Sequence, residues 1–446
     1  MGRNSHAREG LLSRVSFRCE LCHIASQPGD AGDHRGACFP MFLRFLHRLL
    51  EIFLHAERRF EQPFLRPALD AALRGPIALF VTEIQNSLRS REDIGLAEET
   101  PLPGEDEAVQ TMIDEMRRHL MRDFPRGGFE RAGNTKTHGL VRGELVIHEN
   151  LPDKLRRGLF ATPATYRCWV RFSGPGPHIE PDMNDVGFGS ISVKVMGVPG
   201  AKLWDDEKHT QDFTSVCTPA FVTPDVKANA RLQYWSRRHL PVFYFFDPRE
   251  PHLLDFIMQG LWNETQTNPL GQTYYSCVPY LMGPGQAMQY SFWPMTKVSK
   301  RIEGLPFWVA DNYLRDNMIG TLEAMDVEFE LRVQLQTDPF RMPIENNAVM
   351  WPTRLSPRVP VATLRIPKQT FDYPDQFAFT RYLRFNPWHC LPDYRPLGNQ
   401  SRARKRMYDE MAAFRQKMNA VPHIEPTGDE VFGVAREATK AVEPAE

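Results

Sequence analysis

The chain has 446 residues with 54 basic and 55 acidic side chains, a formal charge of −1, and 42% of its residues are hydrophobic. That much apolar material excludes wholesale disorder, and the balanced charge excludes a protein that works by neutralising many phosphates. The 37 prolines, roughly 8% against a usual ~5%, argue against a long helical repeat or coiled coil and for irregular connections. Length alone suggests about three domains, and one large barrel with helical additions fits the same number.

Residues 1–40 are rich in Gly, Arg, Ser and His without a sustained period and read as a disordered extension. They contain Cys19-Glu-Leu-Cys22-His23, a string of the kind that attaches c-type haem, and His34 and Cys38 follow at a spacing that suits zinc. No export signal precedes the string and little apolar packing surrounds it, so chance occurrence is the reading adopted. The seven cysteines, at 19, 22, 38, 168, 217, 277 and 390, are odd in number and widely spaced, which predicts a reduced, cytoplasmic protein.

Residues 41–125 read as an N-terminal helical segment. From Met41, the run MFLRFLHRLLEIFLHAERRF places Phe42, Leu46, Leu49 and Phe53 on one helical face with Arg44, Arg48 and Arg58 opposite. Such a helix docks on the domain; the alternative is peripheral membrane contact through 41–56. After the linker at 98–107 a helix is predicted over about 107–123.

The pattern then changes. THGLVRGELVIH, YRCWVRFS, FGSISVKVM, DFTSVCT, VEFELRVQLQT and PVATLRI are short segments rich in β-branched and aromatic residues between Pro/Gly loops. Six or more such strands predict a sheet closed into a barrel, so the fold class is α+β and the barrel domain spans 126–420. Helices return after about 373, residues 421–446 are expected to form a flexible tail, and no internal repeat is visible.

Three groups of residues carry candidate chemistry. In the basic run from Arg402, Arg404, Tyr408 and Arg415 lie at offsets 0, +4 and +11, within about 40° of one another at about 100° per residue, and form one stripe. A guanidinium one turn before a phenol favours the phenolate; the alternative is a solvated basic helix with Tyr408 packed on the body. At the mouth of the first strand stand Thr137 and His138, and the second strand holds Arg171 and Ser173 at a spacing that puts both on one face. A histidine with a hydroxyl neighbour suits a proton shuttle or a satisfied structural role.

Taken in order, KTHGLVRGEL (136–145), VRFSGPG (170–176), NDVGFGSISVKV (184–195), DFTSVCTPAFVTPD (212–225) and RARKRMY (402–408) resemble the haem-dependent catalase family, including its compact peroxidase and allene oxide synthase branch. The resemblance spans about 130–415. It implies a catalase-like antiparallel eight-stranded β-barrel with N- and C-terminal helices, and haem b as the iron cofactor. It also implies His138 as distal acid/base supported by Ser173, Tyr408 as axial iron ligand and Arg404 as its charge partner. Arg171 and Arg415 become propionate clamps. Two departures stand out. Val216 and Cys217 occupy the family's paired asparagine positions, and Thr135 stands where an arginine is expected, unless Lys136 or Arg142 replaces it. Thr137 resembles the allene oxide synthase pattern.

The implied activity is haem-dependent peroxide metabolism, as a peroxidase or weak catalase acting on hydrogen peroxide or organic hydroperoxides, with no nucleic-acid partner. The competing expectations are isomerisation or dehydration of a fatty-acid hydroperoxide and non-enzymatic haem binding.

Overall fold

The computed structural model describes residues 39–90 and 94–433. The CxxCH string therefore lies outside the described residues. The chain divides into two compact units, 1–48 and 49–446; the second holds everything below. In chain order it contains the end of α1 (Phe39–Ala56), α2 (Arg66–Ser87) and α3 (Glu105–Asp123), then β1 (Thr137–Ile147), β2 (Thr165–Ser173), β3 (Ser190–Met196) and β4 (Thr210–Val216). Helices α4 (Val226–Ser236), α5 (Val242–Phe245) and α6 (Leu253–Trp262) precede β5 (Tyr274–Tyr275), β6 (Tyr280–Leu281) and β7 (Ala287–Pro294). Helix α7 (Tyr313–Ala324), strands β8 (Val327–Leu335) and β9 (Arg358–Ile366), and helices α8 (Pro374–Phe379) and α9 (Asn399–Asn419) complete it.

Every pairing is antiparallel, and the order β5-β4-β3-β2-β1-β9-β8-β7 closes on itself because β5 also pairs with β7. The result is a closed eight-stranded barrel, with β6 a short addition to β7. Closure leaves no free edge among these strands. Alternate residues fill the interior: Val141, Val170, Phe172, Val193, Phe329 and Leu331 are fully buried there. The outer face of β1–β3 is covered as well, where Leu140, Trp169 and Met196 pack with Phe379 and Leu383. Strand β3 is therefore buried at all seven positions, its outward Ser190, Ser192 and Lys194 included.

Two sequence expectations change. Residues 421–433, read as the start of a flexible tail, lie along the barrel instead. The Glu430 carboxylate accepts from Trp169 Nε1 at 2.8 Å, Arg142 donates to the carbonyls of Gly428 and Glu430, and Phe432 packs edge-on against Trp169. Strands β5–β7 and helices α4–α7 had no counterpart in the sequence reading. The first two of those strands are two residues long, and Gln289 and Ser291 in β7 are buried on the face opposite Tyr290 and Phe292. Among the described residues no helix is long and apolar enough to cross a membrane. Cys168, Cys217, Cys277 and Cys390 are buried free thiols.

Candidate functional site

Helix α9 presents two faces. Ala403, Met407, Met411 and Phe414 pack with Met112, Ile113 and Met116 of α3. The neighbouring face, about a quarter turn round the helix, carries Arg404, Tyr408 and Arg415 as the spacing predicts. Arg404 sits over the Phe221 ring, 5.4 Å from its centroid. Burial works against its charge, but Tyr408 first and then Tyr280 outweigh it and raise its pKa. Its Nη1 is buried without a hydrogen-bond partner, and Tyr408 is half-buried beside it.

Arg415 and Arg171 are buried, and a third arginine, Arg131, joins them. Arg131 Nη2 donates to the carbonyls of Thr380 (2.6 Å) and Leu383 (3.1 Å), and Arg415 Nη2 donates to the same Leu383 carbonyl at 3.1 Å. Arg171 reaches the chain just after Arg131, donating to the Asn134 carbonyl at 2.6 Å. Burial, and then the positive charge of Arg131, push Arg171 and Arg415 down from the usual arginine pKa, while burial brings Arg131 to about 10. Among the described residues none of the three forms an ion pair, and Arg131 Nη1 and Arg415 Nε have no partner. The Glu130 carboxylate, itself paired with Arg381, is the counter-charge that reaches all three, and three clustered guanidiniums against it leave a net positive cradle for an anion.

Arg131, rather than residue 135, is the further arginine that stands beside Arg171 and Arg415. The two replacements considered from sequence are committed elsewhere: Lys136 Nζ pairs with Asp182 at 2.6 Å and donates to the Glu180 and Asp311 carbonyls, and Arg142 holds the 421–433 segment. No spacing rule finds Arg131, because only the fold of the loop after α3 carries it to Arg171.

His138 is placed by a β-bulge. Thr137 pairs with Ser173 and Gly139 with Phe172, so His138 is the unpaired residue between them. The bulge breaks the alternation that would set His138 beside Leu140. Ser173 consequently does not support His138: its Oγ accepts from Arg171 Nη1 at 2.9 Å and shares a 2.7 Å hydrogen bond with Ser190. The imidazole lines a cavity of about 10 Å³, room for one water, together with Arg58, Asp182, Asp185, Gln266 and Tyr313. His138 Nδ1 stands 3.7 Å from Asp182 Oδ1 without a hydrogen bond. Burial, aided by Lys136 and Arg171, lowers its pKa to about 3, while burial raises Asp185 to about 7. His138 is therefore a neutral base at pH 7.

On the outer face the paired residues Thr137, Ser173, Ser190, Val216 and Tyr275 run across five strands as one row. Thr137 Oγ1 accepts from both Nε (3.1 Å) and Nη2 (2.8 Å) of Arg171, which leaves its own hydrogen free to be donated elsewhere. The expected amide is absent at Val216, but Asn134, held at φ +51°, donates from Nδ2 to Ser190 Oγ at 2.9 Å and brings an amide into the same row. Cys217 is turned inward, where its Sγ accepts from the Gly189 amide at 2.9 Å.

Behind α9 lies a network absent from the sequence reading. Lys194 Nζ, fully buried, pairs with Glu207 and with Asp212 at 2.7 Å, and His389 bonds Asp206 through Nε2 (2.7 Å) and Asp212 through Nδ1 (3.0 Å). Arg384 ties Asp206 to Asp409 and Gln416 of α9. Burial and Lys194 oppose a charge on His389, but Asp206 and Asp212 prevail and raise its pKa to about 9. Its stabilising proton is fully bound below the ordinary value near 6.5 and is lost as pH rises through 9. Unfolding free energy is therefore expected to fall by on the order of 3 kcal/mol between pH 6.5 and 9 from this group. Denaturant titrations across that range test it: His389→Gln should flatten the slope, and an unchanged slope would refute the assignment.

No family model matches the chain, and no curated protein matches it by sequence. Solved structures do match in fold. A fungal catalase aligns at 14% identity over 80% of this chain and 72% of that one, with a TM-score of 0.53. Catalase A from Saccharomyces cerevisiae aligns at 12% identity over 80% and 76%, with a TM-score of 0.50. The chain thus has the catalase-like barrel fold.

Proposed function

We propose that the protein is a haem-dependent oxidoreductase that metabolises peroxides. The observation that carries this reading is the α9 stripe of Arg404, Tyr408 and Arg415, whose Arg415 end meets Arg131 at the Leu383 carbonyl beside Arg171. The orphaned donors on Arg131 and Arg415 fit an acid with two carboxylates, and a half-buried phenol beside the Arg404 guanidinium would offer an oxygen ligand to iron. Haem b has both features. When bound, it supplies the cleavage of the O–O bond and the oxidising power.

The residues of this chain do the rest. Arg131, Arg171 and Arg415 would hold the propionates, and Tyr408, beside Arg404, would offer its oxygen to the iron. On the other side Thr137 donates its free hydroxyl proton toward the peroxide, with the Asn134 amide alongside. His138, neutral and adjacent to Thr137, faces the Asp182 and Asp185 cavity, so its basicity reaches the peroxide only through Thr137. A shuttle of this kind serves hydrogen peroxide dismutation poorly, which favours peroxidase chemistry on organic or lipid hydroperoxides over catalase activity.

The same turned-away imidazole favours a second reading, isomerisation or dehydration of a fatty-acid hydroperoxide, which needs no external reductant. Exposed Leu49, Ile52, Phe53, Phe60, Phe64 and Leu65 support peripheral contact with lipid as the source of such a substrate. The deciding experiment reconstitutes the protein with haem, records its visible spectrum, and compares oxygen release from hydrogen peroxide with loss of a fatty-acid hydroperoxide. Stoichiometric haem binding with faster loss of the organic hydroperoxide is expected. Absence of any haem band sinks the reading, and haem binding with inertness toward both substrates leaves a haem carrier instead.

A further inference from the structure

A second cluster lies where the end of α3, the loop after β2 and the turn after α4 meet. His119 and Asp123 stand one turn apart on α3, and His178 approaches from the loop. His119 Nδ1 is 2.9 Å from Asp123 Oδ2, and His178 Nδ1 is 3.9 Å from the same oxygen. The far nitrogen of each ring points at a backbone carbonyl: His119 Nε2 at Pro177 (3.0 Å) and His178 Nε2 at Ser236 (3.4 Å). A carbonyl accepts only, so Nε2 carries the hydrogen in both rings and, in the neutral rings, both Nδ1 lone pairs converge on a carboxylate. Burial first, and then Arg237 for His119 and His239 for His178, lower both pKa values, His178 to about 4, which keeps both rings neutral at pH 7. Two imidazole lone pairs and a carboxylate aimed at one point repel each other unless a cation stands between them.

We propose that His119, Asp123 and His178 bind a divalent transition-metal ion of the zinc type, at a site distinct from the α9 face. The donor set is the N/N/O set that zinc takes. Donors around tetrahedral zinc stand about 3.3 Å apart, and the two measured separations bracket that spacing. Backbone carbonyls that fix the ring tautomer are the usual outer support of such ligands. His239, held at φ +57° with its ring stacked 3.8 Å from His178, is the nearest further imidazole. The cation now serving the cluster is Arg122, whose Nη2 stands 2.9 Å from Asp123 Oδ2 and 3.4 Å from His119 Nδ1. Its side chain is 56% exposed and is also held by Asp123 Oδ1 and the Arg237 carbonyl, so a metal ion would have to displace it. Bound metal would staple α3 to the loop whose Asp182 and Asp185 face His138.

The test uses the full chain without an affinity tag, with Cys19, Cys22 and Cys38 changed to Ser so that the N-terminal string does not compete. After chelator treatment, zinc is titrated calorimetrically and cobalt is added as a spectroscopic probe. One zinc per chain with a submicromolar Kd is expected, and cobalt should give the visible bands of a low-symmetry site. Asp123→Asn with His178→Gln should weaken zinc at least ~100-fold while the far-UV spectrum and haem uptake stay unchanged, and Arg122→Gln should tighten it. Equal zinc binding by the Asp123/His178 variant, or none by the unaltered cluster, overturns the proposal.

Discussion

Tyr408→Phe is expected to leave a folded protein that has lost the oxygen proposed to hold the haem iron. Phe preserves the ring on α9 and removes only the oxygen, so the packing of α9 on α3 through Met407 and Met411 should persist and far-UV circular dichroism should not change. Losing an iron ligand outright should cost more than the 10–100-fold typical of groups that merely orient a ligand, so haem affinity should fall roughly 100-fold or more and peroxide turnover with it. Haem titration followed at the Soret band measures this. Full-affinity binding with an unshifted band would remove Tyr408 from the iron. Arg404→Gln is the graded companion: it keeps the phenol but removes the positive charge beside it, so the haem should stay bound with an altered charge-transfer band.

Arg415→Met separates holding a cofactor from holding the fold. In the haem-free protein Arg415 is a buried cation whose Nε lacks a partner, near Arg131 and Arg384. An apolar chain of similar length relieves that repulsion, so haem-free stability is expected to stay level or rise by about 1–2 kcal/mol. With haem, the same change removes a charge-assisted hydrogen bond worth about 1.5–3 kcal/mol, so Kd should rise about 10–100-fold. Opposite signs in the two states are the signature. Denaturant melts of both forms measure it, and a haem-free loss above about 2 kcal/mol would show that the bond to the Leu383 carbonyl is structural and the anion cradle is not.

The parts of this site that were legible in the sequence are those governed by local periodicity. Arg404, Tyr408 and Arg415 share a face because an α-helix turns about 100° per residue, and Arg171 and Ser173 share one because strands alternate; neither depends on the rest of the fold. His138 shows where that logic stops. One bulged residue at the mouth of β1 reverses which side chain meets Ser173, and nothing in THGL announces a bulge. Arg131 and the Lys194, Asp212 and His389 network were equally illegible, because their partners lie up to 252 residues away and no spacing encodes such a meeting.

By itself, therefore, the chain determined an α+β barrel, a reduced interior and a guanidinium–phenol stripe, all consequences of composition and short-range pattern. Tertiary structure alone decided how the barrel closes through the two-residue strand β5, and which arginine completes the anion cradle. It also decided that Thr137, rather than the imidazole beside it, fronts the row with Ser173 and Ser190. The physical reason is common to all three: each depends on the register and packing of segments distant in the chain, where one residue of slip exchanges the faces of a strand.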